Sequence, residues 1–200
     1  SVVVAMETLA RELGVQFVTN ANVSEIIVEN KTAKGIVVNG EKNYADVVLS
    51  GADYHHIENN LLTDKTRNYD EKRWDKQVMA PSSLLFYLGV NRKIDKLTHH
   101  NLFFDEDFNV HADEIYTNPK WPSKPLFYAS APSKTDDSVA PEGSENLFIL
   151  IPIAPDLEDN EEIREKYYHI VMDRLEAYVG HDIRSHVVFK RGFAVDDFKN

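Results

Sequence analysis

The sequence predicts an α+β fold: a mixed, largely antiparallel sheet with helices packed on it. Three observations predict it. Two segments, 1–14 and 161–178, carry apolar residues at helical spacing, and between them lie short apolar runs of strand character. Asn39-Gly40 stands between two such runs and is a strong two-residue hairpin signal. The order helix, strands, helix, strands, helix, strand does not alternate as a doubly wound parallel sheet would.

The elements follow in chain order. Val2, Met6, Leu9 and Leu13 form a helical stripe that ends at Gly14, a C-terminal cap. "VQFVTN" (15–20) reads as a short strand, followed by a strand containing Val23, Ile26 and Val28. Residues 35–38 pair with 44–49 across the Asn39-Gly40 turn. Asp53 caps a helix whose apolar face is Ile57, Leu61 and Leu62. "DKTRNYDEKRWDKQ" (64–77) reads as a solvated helix anchored by Trp74. Strands follow in "SSLLFYLGVNRK" and "LTHHNLFF", then a short helix in "DFNVHADEIYTN". Two further strands flank residues 131–144, where Pro132, Pro141 and Gly143 mark turns and Thr135, Asp136 and Ser138 can bond local backbone. That long connection is expected to be rigid and to carry no chemistry. Residues 161–178 form the clearest helix, ended by Gly180, and "IRSHVVFKRGF" closes as a strand.

Composition narrows the function classes. Two hundred residues, 42% hydrophobic, can bury a sizeable core without covalent staples. The absence of cysteine excludes disulfides, thiolate metal sites and cysteine nucleophiles, and it suits a cytoplasmic protein. With 22 Lys and Arg against 33 Asp and Glu, the net charge of −11 repels a phosphate backbone, so no nucleic-acid partner is expected. No apolar run is long enough to span a bilayer. The first residue falls inside a helical pattern and the chain stops just after a strand, so the sequence reads as an interior segment of a longer protein.

Motifs of known chemistry are missing. His55-His56 and His99-His100 are adjacent pairs, and neighbouring side chains diverge on a helix or a strand, so neither pair is expected to chelate a metal. "DEDFNV" opens like a calcium loop, but Val110 and Tyr116 occupy the positions that need Gly and Glu. No nucleophile elbow, phosphate-binding loop or dinucleotide fingerprint occurs. No catalytic residue and no metal ligand can be named.

Four stretches carry a resemblance. They are "LARELGVQFVTNANVSEIIVENKTAKGIVVNGEKNYADVVLSGADYH", "SSLLFYLGVNRKIDKLTHHNLFF", "YASAPSKTDDSVAPEGSENLFILIP" and "FAVDDF". Together they resemble the interior of the bacterial and fungal type of phytoene desaturase, within the flavin-dependent carotenoid desaturases, isomerases and amine oxidases. Ala-Pro-Glu-Gly (140–143) is the most specific element. Gly51 departs from the usual Asn before Ala52-Asp53, and Ala194-Val195 replace Thr-Pro.

The resemblance implies the substrate-domain region of a two-dinucleotide-binding flavoprotein: residues 1–53 adjoining the FAD-binding domain, and 54–200 binding the substrate. It implies FAD in the full-length protein and none on this chain alone, since the Gly-rich FAD loop and the carboxy-terminal flavin motif are missing. The substrate implied is an apolar polyene, desaturated by hydride transfer to the flavin. Val23, Gly51 and Ala52 are the implied cofactor contacts, through backbone, and Tyr87, His99, His100, Phe103 and Tyr128 the implied lining of an apolar tunnel. Peripheral contact with a membrane is open to the whole enzyme, and the oligomeric state is undetermined. The alternatives are a non-catalytic binding or assembly module of the same ancestry, and a related saturase or amine oxidase.

Overall fold

In a computed structural model, which describes residues 1–77 and 79–198, the chain divides into two compact units, Ser1–Val78 and Met79–Asn200. The sequence-based boundary at residue 53 falls inside the first unit. Residues 54–77, with the short helical pieces they carry, group with the small sheet.

The first unit opens with α1 (Val2–Glu12), capped by the Ser1 hydroxyl and ended by Gly14 at φ +88°. Its expected stripe of Val2, Met6, Leu9 and Leu13 is exposed. Three antiparallel strands follow, β1 (Val23–Glu29), β2 (Thr32–Val38) and β3 (Glu41–Tyr44), in the order β1-β2-β3. Both connections are two-residue turns with both central residues at positive φ: Asn30-Lys31 at 51° and 62°, and Asn39-Gly40 at 49° and 86°. Such turns match the right-handed twist of the strands they join.

Three expectations need correction. Residues 15–20 join no ladder among the described residues; the small sheet begins at Val23. The second hairpin pairs Gly35–Val38 with Glu41–Tyr44, not with residues as far as 49. The helix expected over 64–77 shrinks to α3 (Glu71–Trp74), N-capped by Asp70. Glu58 is the cause. It is buried in the π-helical turn Ile57–Leu61 that continues α2 (Tyr54–His56). Its carboxylate accepts from Asn68 N at 2.6 Å, Asn68 Nδ2 at 3.0 Å and Tyr69 N at 3.2 Å. Backbone N–H groups held by a carboxylate cannot also serve a helical ladder, so the chain bends there.

The second unit is built on a five-stranded, wholly antiparallel sheet of β4 (Ser82–Val90), β5 (His100–Phe103), β6 (Phe127–Ser130), β7 (Glu145–Ile153) and β8 (Val187–Phe193). The spatial order is β5-β6-β7-β4-β8. β4 and β7 pair over nine residues without a shift, from Ser82↔Ile153 to Val90↔Glu145. On one face, Leu84, Phe86, Leu88, Leu147, Ile149 and Ile151 are buried in the same core cluster as Tyr167, Val171, Met172 and Leu175 of α5 (Glu161–Val179). Asn160 caps that helix at one end, and Gly180 at φ +83° ends it.

Pro152 sits in β7, a central strand, and has no N–H to give. Its carbonyl is held by a histidine. His111 of α4 (Phe108–Tyr116) accepts from Leu126 N at Nδ1 (3.0 Å) and donates from Nε2 to the Pro152 carbonyl (2.8 Å). The buried ring therefore bridges the Leu126 N–H, just before β6, to the Pro152 carbonyl of β7.

Two substitutions test these constraints. A Cβ at Gly35 would lie 2.1 Å from the Asn43 carbonyl oxygen, so Gly35→Ala must part the β2–β3 hairpin. We expect a loss of about 1–3 kcal/mol of first-unit stability in urea unfolding. His111→Ala strands the Leu126 N–H in the interior and is expected to cost about 2 kcal/mol in the second unit, by the same measurement.

Candidate functional site

The other face of the five-stranded sheet is apolar as well. Cross-strand partners share a face, and the registers place Leu102, Tyr128, Leu150, Leu85 and Phe193 in one row across all five strands. The next row is His100, Ser130, Phe148, Tyr87 and Arg191. Four strand spacings make the rows about 19 Å wide.

Aromatic rings run through these rows in spatial order. His99 stacks on His100 at 4.1 Å between centroids, and His100 on Tyr128 at 5.9 Å. Tyr128 meets Phe148 edge-on at 6.3 Å, Phe148 meets Tyr87 at 5.2 Å, and Tyr87 meets Phe193 at 5.9 Å. The guanidinium of Arg191 lies 4.7 Å from the Phe193 ring centre and closes the series on β8. The faces are open: Tyr87 is 40% exposed and Leu102 65%.

Gly89 shapes one edge of the surface. It pairs with Phe189, and a Cβ added to it would come within 3.3 Å of the Phe189 Cβ. The aromatic chain can therefore lie close over the strand. Beside it is a groove of about 340 Å³, lined by Tyr87, Phe148, Phe189 and Pro132 among others.

Buried polar staples hold the rim. The connection 131–144 forms two 3-10 turns, Pro132–Lys134 and Asp137–Val139. Its first turn is pinned to the start of β7. Glu145, 1% exposed, accepts from the Ser133 hydroxyl and from Lys134 Nζ at 2.6 Å. Ser133 N donates to Asn146 Oδ1 at 3.1 Å. Thr135 of the same connection is bonded to His99 Nδ1 at 2.6 Å. Burial pushes the Glu145 carboxyl up, but the hydrogen bonds from Lys134 and Ser133 and the lysine charge outweigh it, and the group is held below its ordinary range.

The residues singled out from the sequence fall in three places. Tyr87, His100 and Tyr128 lie together in the aromatic series, with His99 stacked beside them. Phe103 lies on the opposite, helix-covered face, stacked on Phe127 at 4.3 Å in the core. Strand alternation sends it there, because Leu102 takes the open face. Val23 opens β1, while Gly51 and Ala52 lie in the exposed segment between β3 and α2, all in the first unit. A Cβ at Gly51 would meet nothing within 4 Å, so the backbone there is open to approach.

Phe148, Phe193, Leu85, Leu150 and Arg191 were not read as site residues. Their signal was present: β4 and β7 are apolar at odd and even positions alike, which one covering helix layer does not require. Among the described residues no cluster of three or more metal-ligating side chains occurs, and no helix is long and apolar enough to cross a membrane.

The second unit is thus a helix-backed antiparallel sheet with an open face of apolar and aromatic side chains. Over 198 residues it is 42% identical to the carotenoid 3,4-desaturase of Haloarcula japonica, covering 99% of this chain and 40% of that protein. It is 36% identical over 171 residues to the zeta-carotene-forming phytoene desaturase of Myxococcus xanthus, covering 82% of this chain and 32% of the relative. It is 33% identical over 163 residues to the phytoene desaturase of Fusarium fujikuroi, covering 80% and 28%. The chain is thus homologous to a part of the carotenoid and phytoene desaturases, as the four stretches imply, and spans about two-fifths or less of their length. No family model matches it. An oxidoreductase of Methanosarcina mazei shares the fold, with a TM-score of 0.63 at 17% identity, over 95% of this chain and 40% of that one.

The staple at Glu145 has an acid-side signature. Its folded value lies below its unfolded one, so its contribution is complete above about pH 4.5 and is lost as the pH falls through the depressed folded value. Glu145→Gln should flatten the acid limb of second-unit stability below about pH 4.5. At pH 7 the same variant should be less stable by roughly 2 kcal/mol. Urea midpoints against pH measure both.

Proposed function

We propose that this chain forms the substrate wall of an FAD-dependent carotenoid desaturase, with the open face of the five-stranded sheet as the surface on which an apolar polyene lies. The observation that carries the reading is the row of apolar side chains contributed by all five strands, with aromatic rings in contact along it. A conjugated chain is long, flat and apolar. Aromatic and aliphatic groups standing on a rigid sheet bind such a molecule by burial and exclude water from it.

In this reading the five-stranded unit holds the substrate and the first unit adjoins the cofactor domain. In the whole protein FAD would supply the hydride acceptor for the desaturation. Val23, Gly51 and Ala52 fit contact with it through backbone atoms: Gly51 is open and both small residues are exposed. They offer no phosphate cradle, so tight retention of FAD belongs to the whole protein and not to these residues. No side chain of the wall is assigned a proton-transfer role. The work of the wall is to bind, align and desolvate. The homologues carry desaturase names, and this supports a desaturation over an amine oxidation. Contact with a bilayer, from which a polyene would be taken, is part of the same proposal.

The test uses the full-length, flavin-loaded protein. Tyr87 is exposed and makes no hydrogen bond among the described residues, so Tyr87→Ser should leave folding and flavin content unchanged. Losing its ring from the wall removes apolar contact of about 60 Å², near 1.5 kcal/mol, so the polyene KM or Kd should rise about tenfold. Unaltered polyene affinity in Tyr87→Ser and Leu150→Ser would reject this face as the wall. A full-length protein that retains no flavin would favour the non-catalytic module.

A further inference from the structure

Asn39 fastens more of the first unit than its own turn. The backbone leaves β2 at this residue, at φ 49°, and enters the hairpin with Gly40 at 86°. Its polar groups reach back to the chain before β1. Asn39 N donates to the Asn22 carbonyl at 3.0 Å, and Asn39 Oδ1 accepts from Asn22 N at 3.1 Å. Asn39 Nδ2 donates to the Asn20 carbonyl at 3.3 Å. The β1–β2 ladder begins at the pair Val23↔Val38, and the Asn39 side chain extends it by one step. One residue thus holds the entry to β1, in which Asn20 itself stands at φ 54°.

The same residue is chemically labile. No other asparagine of the sequence is followed by glycine. Gly40 has no Cβ to crowd its nitrogen, and one added there would meet nothing within 4 Å, so that nitrogen is open to reaction. It can attack the side-chain carbonyl carbon of Asn39. The bond from that carbon to Nδ2 breaks, ammonia leaves with the Gly40 proton, and a cyclic imide forms. Water then opens the imide at either carbonyl, to aspartate or to isoaspartate. Only water is consumed, and nothing is oxidised or reduced. Closure requires the carboxamide to swing onto Gly40. In the folded hairpin both of its polar atoms are bonded to residues 20–22 instead.

We propose that Asn39 is a site of spontaneous amide-to-carboxylate conversion, restrained by the folded hairpin, and that conversion releases the entry to β1. In the aspartate form a carboxylate oxygen meets the Asn20 carbonyl where a donor stood, acceptor against acceptor. In the isoaspartate form the main chain runs through the former side chain and gains a methylene. The two-residue turn and the links to Asn20 and Asn22 are then lost together. Val23 follows directly and is a proposed contact of FAD, so converted protein should also hold flavin more weakly. That last consequence alone rests on the proposed function.

The experiment incubates the full-length, flavin-loaded protein at mildly alkaline pH and follows the tryptic peptide 35–42. Mass reports the exchange of amide for acid, and chromatography separates aspartate from isoaspartate. Asn39 should convert before any other asparagine of residues 1–200. Gly35→Ala, which parts the β2–β3 hairpin, should speed the conversion about tenfold, in proportion to the open population. Wild type in urea is a second open state in which the rate must also rise. Equal rates in the closed and open states, or earlier conversion at another asparagine, overturn the restrained site. Hydrogen exchange across residues 20–23 should rise in the isoaspartyl protein and, to a smaller extent, in Asn39→Asp. Exchange equal to that of the unconverted protein overturns the release. Faster exchange with flavin held as tightly as before overturns the assignment of Val23 to the cofactor and leaves the site standing.

Discussion

The register between β4 and β7 is the constraint on which the second unit depends. Nine consecutive pairs, from Ser82↔Ile153 to Val90↔Glu145, fix which side of the sheet each residue of the two central strands faces. A slip of one residue would exchange the faces, sending Tyr87 and Phe148 under α5 and Phe86 and Ile149 into the open. Two polar staples anchor β7 itself near its ends. At one end of β7, Glu145 binds Ser133 and Lys134; near the other, Pro152 is held by His111. Both join β7 to segments outside the β4 ladder, so sliding β4 against β7 would leave the staples in place and misalign the core.

This arrangement separates stability from binding. The helix-covered face supplies the hydrophobic driving force, with Leu84, Ile149, Ile151, Met172 and Leu175 fully buried. The open face is then free to present apolar groups that the core does not need. A rigid sheet loses little conformational entropy when a long ligand settles on it, which favours a flat conjugated molecule over a flexible one. Polar groups stand at the two ends of this face, His100 with Tyr128 towards β5 and Arg191 on β8.

Local chemistry was readable wherever it acts over a few residues. The Asn39-Gly40 turn, the Asp53 cap, the Gly14 and Gly180 helix ends and the long helix of 161–178 all depend on near neighbours. The first three of these gave hairpin and helix boundaries, and α5 ends one residue beyond the expected 178. The connection 131–144 was read as a rigid turn region without chemistry, and its 3-10 turns fit that; its link to Glu145 lies eleven to twelve residues away and has no local sign. The failed helix over 64–77 has the same origin. The Glu58 carboxylate that diverts Asn68 and Tyr69 is ten residues upstream of Asn68.

By itself the sequence determined the fold class, the antiparallel character of the strands and a family likeness borne by four stretches, because hydrophobic period, turn residues and short signatures are written along the chain. Tertiary structure alone decided the face. Leu85, Leu102, Tyr128, Leu150 and Phe193 come from five strands spread over more than a hundred residues and become neighbours only when β4 inserts between β7 and β8. In strands apolar at every position, alternation cannot say which side a helix will cover. The same rule assigned Phe103 to the core and His100 to the open surface, although both stand on one four-residue strand.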